Sequence, residues 1–323
     1  MIEFAGILLG ILLLIAGGTA LIHGASQAAA RLGVSPLIVG LTVVAFGTSM
    51  PELVVNMIGS WQGESGLAFG NIVGSNIFNL TVVLGVSALL RPLVLHGNLV
   101  RREVPLLMLG TSVLTVLALD QPFENAPNLI DRSDSLVLML IFCIFIYITA
   151  LDLLRSRQRD AILADIDSNP LIIKEQLARY AWLYALGGVG LLYAGGELAV
   201  NASIGLAARL QIDSAKVGLF ILAIGTSLPE LAASIIAAVR KESDLAVGNV
   251  VGSNIFNALM VMPTSGLVGE IAVPGGGAID LVFSWFLAAL LIPVFILGKA
   301  RVGRYSAVLI LLMYAAWAAI RVG

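Results

Sequence analysis

Residues 47–80 read GTSMPELVVNMIGSWQGESGLAFGNIVGSNIFNL, and residues 225–258 read GTSLPELAASIIAAVRKESDLAVGNVVGSNIFNA. The segments align at an offset of 178 without a gap and share 20 of 34 residues. The same offset pairs Gly17 and Gly18 with Gly195 and Gly196, and the run from Ala29 to Leu32 with that from Ala207 to Leu210. The duplication therefore covers the early part of each half and not one motif alone. No other feature constrains the fold as strongly, because whatever the first copy builds the second must build again.

Hydropathy says what the copies build. Apolar stretches of about 20 residues, long enough to cross a hydrocarbon core, fall at 4–22, 37–60, 67–90, 103–120 and 134–154, and again at 180–200, 215–239, 245–268, 279–298 and 304–321. With 59% hydrophobic and 12% charged residues, most of the surface is expected to face lipid. The segment after Met1, Ile2 and Glu3 lacks the basic start and cleavage pattern of a signal peptide and reads as a first span that stays. Five spans separate equivalent positions, and five is odd, so the second copy enters the membrane upside down. The expected fold is an all-α membrane protein: ten transmembrane helices in two inverted five-helix repeats, 1–154 and 180–323, joined by a polar linker at 155–179. Inverted repeats of this kind characterise secondary transporters, whose substrate site lies near the midplane where the repeats meet.

Charge placement predicts the orientation. Fourteen of the 18 Lys and Arg residues lie in the loops after spans one, three, five, seven and nine; Arg132, Arg209, Lys216 and Arg321 lie on the other side. The positive-inside rule then places the linker in the cytoplasm and both termini outside a plasma (inner) membrane. One cysteine, Cys143, excludes a disulfide framework and reads as a packed apolar thiol. Two histidines, His23 and His96, near span ends do not make a zinc site. No cofactor and no nucleic-acid partner are expected, and the transport unit is expected to be a monomer in the bilayer.

Each repeat carries two polar motifs. Pro51 and Pro229 lie mid-span, where a proline removes a backbone donor and interrupts the helix. Ser49 and Glu52, like Ser227 and Glu230, have capping-box spacing, so a new half-helix is expected to start there. Broken helices are tolerated in a membrane where the exposed backbone faces protein or a wet cavity. A carboxylate near the bilayer centre costs about 2.5–3.5 kcal/mol on the insertion scale, so the pair costs about 5–7. Capping could be done by the serines alone, which favours a cation-ligand role for Glu52 and Glu230. In the second motif Asn71, Ser75 and Asn79 recur at four-residue steps on one helical face, as do Asn249, Ser253 and Asn257. Ser75, Asn79, Ser253 and Asn257 are read as ligands; Asn71 and Asn249 suit either ligation or interhelical hydrogen bonding. Asn76 and Asn254 point elsewhere, toward neighbouring helices. The glycines of spans one and six (Gly17, Gly18, Gly187, Gly188, Gly190, Gly195, Gly196) read as close-packing positions, and Glu197 as interfacial.

Every donor in this set is a neutral or anionic oxygen, which suits hard cations; calcium accepts six to eight such ligands in flexible geometry. Residues 37–90, 217–239 and 242–278 contain no Lys or Arg, so an anionic substrate has no partner there. A hydrolase built on paired acids is disfavoured, since the motifs hold no aspartate dyad, no histidine and no Ser–His arrangement.

The paired segments GTSMPE…GNIVGSNIFN and GTSLPE…GNVVGSNIFN resemble the two alpha repeats of the cation/calcium antiporter superfamily, in particular its prokaryotic sodium/calcium exchangers. The likeness covers nearly the whole chain. It implies exchange of calcium for sodium, with ion ligands at Thr48, Ser49, Glu52, Ser75 and Asn79 and at Thr226, Ser227, Glu230, Ser253 and Asn257. It implies also that the backbone carbonyls of Ala45 and Ala223 complete sodium sites, and that spans one and six move as a pair across a four-helix core. One departure matters: many members carry an aspartate at one of the positions of Asn79 and Asn257, and this chain carries neither. Two central carboxylates remain instead of three, which argues against potassium dependence. A proton-coupled antiporter for calcium or another divalent cation is the alternative on the same scaffold.

Overall fold

Span one is a single helix, Ile2–Arg31, and its repeat counterpart, span six, is a single helix, Ala181–Leu210. The computed structural model describes residues 2–31, 45–94, 103–121, 127–163, 181–297 and 301–322. Within a bilayer every backbone polar group must be satisfied inside its own segment, and a chain this apolar therefore forms helices almost throughout. Span two comprises Ala45–Thr48 and Met50–Trp61; span three comprises Ser65–Phe78, a π-helical turn at Asn79–Val83, and Leu84–Leu90. Spans four and five are Val104–Leu117 and Arg132–Leu163.

The second half repeats the plan. Span seven runs from Ser214–Val217 through a π-helical turn, Gly218–Leu222, to Ala223–Thr226, then bends by 42° into Leu228–Val239. Span eight is Ser243–Phe256, a π-helical turn at Asn257–Val261, and Met262–Val268; spans nine and ten are Gly277–Leu297 and Arg304–Val322. These helices coincide with the ten apolar stretches of the sequence, but spans one and six run on to Arg31 and Leu210, past the expected ends at 22 and 200, and 37–44 lies outside the described residues. Span five also continues as helix to Leu163, past the expected start of the linker at 155; residues 164–180 lie outside the described residues.

Two short antiparallel ladders make the inversion visible. β1 (Leu93–Val94), after span three, pairs with β4 (Arg301–Val302), before span ten, with Leu93 opposite Val302. β3 (Ile271–Ala272), after span eight, pairs with β2 (Leu129–Ile130), before span five, with Ile271 opposite Ile130. β1 and β3 lie 178 residues apart, so the ladders are one feature built twice, each tying one repeat to the other.

Spans one and six form an antiparallel pair with backbones in contact. A Cβ on Gly17 would fall 2.7 Å from the Leu192 nitrogen and 2.8 Å from the Gly188 oxygen; one on Gly188 would fall 2.6 Å from the Leu21 nitrogen. Gly10 and Gly195 repeat the contact one heptad away, and Arg209 pairs with Glu3 at 2.9 Å at the end of the pair. Toward span two, a Cβ on Gly196 would meet the Val54 and Ile58 side chains at 2.8 and 2.9 Å. Gly187 and Gly190 face open space, which corrects their reading as packing positions. Cys143 is exposed on span five, so it is not the buried thiol its apolar neighbours suggested.

Candidate cation site

The site forms where the two broken spans meet. Ser49 and Ser227 interrupt their helices with nearly identical backbone angles, φ −90° and ψ 8° at Ser49, φ −88° and ψ 8° at Ser227. A proline follows two residues later in each case and costs little in the first turn, where its missing N–H has no partner to lose. Glu52 and Glu230 sit in that first turn and are wholly buried. The unpaired N–H groups of a helix start carry a partial positive charge, which favours a carboxylate there.

The hydroxyls do not cap their own helices. Neither Ser49 nor Ser227 makes a side-chain cap bond. Instead the Ser49 hydroxyl donates to Glu230 Oε1 at 3.1 Å, and the Ser227 hydroxyl donates to Glu52 Oε1 at 3.1 Å. The capping-box spacing located the break correctly and named the wrong partner for the hydroxyl.

Spans three and eight supply the remaining oxygens. Ser253 donates to Glu230 Oε1 at 3.3 Å, and Ser75 donates to the Ala223 carbonyl at 3.4 Å, a carbonyl that also accepts the Ser227 N–H at 3.2 Å. Thr226 donates to Asn71 Oδ1 at 3.2 Å, across the repeat interface. Thr48 is buried beside the Ser49 break, and Ala45 opens the one-turn helix before it, the counterpart of Ala223. Asn79 and Asn257 are wholly buried at the first position of their π-helical turns. Among the described residues, both amide atoms of each asparagine and the Oε2 atoms of Glu52 and Glu230 have no hydrogen-bond partner. Buried polar atoms are normally satisfied, and leaving them bare is costly. All six atoms belong to residues of the two duplicated motifs.

Other expected residues fall into supporting roles. Asn249 donates to the Glu230 carbonyl at 3.1 Å and to the Ser234 hydroxyl at 2.9 Å, so its amide nitrogen is committed to holding spans seven and eight together. Asn254 donates to the Val250 carbonyl at 2.7 Å on its own helix, not to a neighbouring one. Asn56 and Ser234, equivalent by the repeat offset, escaped the sequence reading; Asn56 donates to the Glu52 carbonyl at 2.7 Å, and Ser234 donates to the Ala246 carbonyl at 3.3 Å. Their four-residue spacing from the glutamates was the available signal. Among the described residues there is no cluster of three or more His, Cys, Asp or Glu that could hold a metal.

Comparisons with known proteins bear on the family and the fold. Residues 2–151 and 180–323 match the model of a family described as sodium/calcium exchanger protein. The chain is 35% identical to CaxA, a candidate antiporter of Alkalimonas amylolytica, over 91% of its own length and 90% of that protein. It is 34% identical to the inner membrane protein YrbG of Escherichia coli (strain K12), over 82% of this chain and 80% of the other. Among solved structures, the sodium-calcium exchanger NCX_Mj, soaked with 2.5 mM Na+ and 0.1 mM Ca2+, superposes with a TM-score of 0.65 at 26% identity, covering 98% of this chain and 97% of that one.

Proposed function

The chain belongs to the sodium/calcium exchanger protein family, and on that premise we propose that it exchanges calcium for sodium by alternating access. The observation that carries this reading is the reciprocal pair of Ser–Glu hydrogen bonds, because it makes the two carboxylates one site belonging to both halves. Glu52 and Glu230 together balance one divalent or two monovalent cations. Thr48, Ser49, Ser75, Asn79, Thr226, Ser227, Ser253 and Asn257 surround them with neutral oxygens, and the carbonyls of Ala45 and Ala223 complete sodium positions. An all-oxygen set of this kind suits calcium, and the same oxygens suit sodium.

Alternation requires that one bundle slide on another. Spans one and six are clamped to each other by backbone contacts at Gly10, Gly17, Gly188 and Gly195. Against span two the backbone approach is looser: a Cβ on Gly18 would fall 3.3 Å from the Gly47 oxygen, and one on Gly196 would meet the Val54 and Ile58 side chains. That difference suits a rigid pair moving across a core held by the two β-ladders. The proposed placement is a plasma (inner) membrane, both termini outside, with 155–179 a cytoplasmic linker between repeats 1–154 and 180–323 and with one chain as the transport unit. The basic loops support the orientation, and the name of YrbG agrees with the membrane.

The test is uptake of radioactive calcium into proteoliposomes loaded with sodium. An outward sodium gradient should drive calcium in, and collapsing that gradient should stop it. Uptake that follows a pH gradient and ignores sodium would overturn sodium coupling and assign the scaffold to proton-coupled exchange of a divalent cation.

A further inference from the structure

Asp280, in the first turn of span nine, is a wholly buried carboxylate with no place in the exchange site. Arg321, in the last turn of span ten, pairs with it at 2.8 Å and is itself only 14% exposed; its Nη2 also donates to the Gly275 carbonyl at 3.2 Å. The Trp317 indole N–H donates to Asp280 Oδ1 at 2.9 Å. A buried ion pair of this kind is a costly way to join two helices, so its geometric effect deserves the explanation.

The indole leads to the exchange site. Trp317 lies 5.2 Å, centroid to centroid, from Phe220 and stacks on Phe283 at 5.9 Å with 10° between planes. One turn away Tyr314 contacts Trp317 at 5.6 Å and meets Phe78 edge-on at 6.0 Å. Phe220 belongs to the π-helical turn that ends just before Ala223, and Phe78 immediately precedes Asn79. Span ten thus presents two adjacent rings to the two backbone segments that carry Ala223 on one side and Ser75 and Asn79 on the other. Those segments touch directly, since a Cβ on Gly74 would fall 2.6 Å from the Leu219 oxygen. Trp317 thus packs on the turn that leads into Ala223, whose carbonyl accepts the Ser75 hydroxyl, and Tyr314 packs on the helix that carries Ser75 and Asn79.

In sequence, the tryptophan and the arginine of this tether are not repeated in the first half. The ladders equate Val302 with Ile130, an offset of 172, which places Phe142 opposite Tyr314, Phe145 opposite Trp317 and Thr149 opposite Arg321. The shelf of rings is indeed duplicated: Phe142 meets Phe256 edge-on at 5.8 Å and Phe145 at 6.2 Å. The phenylalanine ring lacks the indole donor, and Thr149 lacks the guanidinium.

We propose that Asp280 and Trp317, held by Arg321, are positioning residues for the sodium position at Ala223, and make it unequal to its counterpart at Ala45. The inference rests on the sodium-coupled reading above. One net hydrogen bond controls the position of the ring, so its loss corresponds to about a threefold to tenfold change in the constant it governs.

The experiment compares Trp317→Phe, Asp280→Asn and Arg321→Lys in proteoliposomes. Two constants are read for each: the sodium half-saturation of sodium-driven calcium uptake, and the calcium half-saturation of calcium–calcium exchange without sodium. Trp317→Phe and Asp280→Asn should raise the sodium constant by about threefold to tenfold and leave the calcium constant within about twofold; Arg321→Lys, which keeps the charge and loses the fork, should raise the sodium constant less than Asp280→Asn and leave the calcium constant within about twofold. Should Asp280→Asn not elute as a monodisperse protein, Trp317→Phe carries the test, since it keeps a ring in the shelf. Sodium and calcium constants that move together, or constants that do not move, would overturn the proposal and leave the exchange reading intact. A wild-type protein indifferent to sodium overturns both, and shows it before any variant is made.

Discussion

The hydroxyl of Ser49 reaches the carboxylate of Glu230 at 3.1 Å across 181 residues of sequence, and the Ser227 hydroxyl reaches Glu52 at the same distance. Each half therefore holds the acid of the other, and the proposed site belongs to both. Inversion of the second copy is what permits this, because it brings two half-helix starts face to face.

Removing either serine hydroxyl should weaken cation binding at the glutamate of the opposite half. A hydrogen bond to a charged group is worth about 1.5–3 kcal/mol, which corresponds to roughly a tenfold to hundredfold loss of affinity. Ser49→Ala and Ser227→Ala should give losses of similar size in calcium half-saturation. A loss confined to one of them would show that the pair is not functionally reciprocal.

The glycines of spans one and six divide sharply. Gly17→Val and Gly188→Val push a side chain into backbone atoms 2.6–2.8 Å away, where no rotamer can relieve the contact. Overpacking of this kind costs about 1–3 kcal/mol, to be read as a lower melting temperature in detergent and slower transport. Gly187→Ala and Gly190→Ala meet nothing within 4 Å and should lower neither, since alanine is the better helix former.

This division shows where sequence reasoning stops. The repeat and its odd number of spans specified the inverted fold, because they concern chain topology and hydropathy, which are local quantities. Spacing located the breaks at Ser49 and Ser227 for the same reason. The partner of each hydroxyl was not legible, since the backbone N–H three residues away competes with a carboxylate 181 residues away for Ser49 and 175 for Ser227, and only the fold decides between them. The π-helical turn at Asn79–Val83 carries no glycine or proline and nothing local announces it, whereas Pro263, just after Asn257–Val261, lacks the N–H that would bond the Leu259 carbonyl within that turn. Gly187 and Gly188 are identical as residues and differ only in the direction they face.

Asn79→Asp or Asn257→Asp would add a third carboxylate to a centre that has two. Protons compete with cations for carboxylates, so either variant should lose calcium transport more steeply than the wild type as pH falls. Transport measured across a pH series at fixed calcium reads this directly. Superimposable profiles would mean that the added acid does not face the ion.

Outside the membrane, Asp131 and Asp134 cap span five reciprocally: Asp131 Oδ1 accepts the Asp134 N–H at 2.8 Å, and Asp134 Oδ2 accepts the Asp131 N–H at 3.1 Å. The Asp134 N–H holds the Asp131 carboxyl below the usual carboxylate range. A group lowered on folding stabilises the fold above its unfolded pKa and ceases to do so as pH falls through the folded value. Asp131→Ala should therefore destabilise the protein by about 1 kcal/mol at neutral pH, with the difference from wild type shrinking on strong acidification. Thermal melts at two pH values test it; a constant difference would contradict the assigned cap.

Sodium-driven calcium uptake by Glu52→Gln and Glu230→Gln bears most directly on the central claim. Glutamine keeps the shape and removes the charge, so both variants should remain monodisperse and both should lose calcium uptake under an outward sodium gradient. Wild-type uptake by either one would contradict a site shared between the two halves.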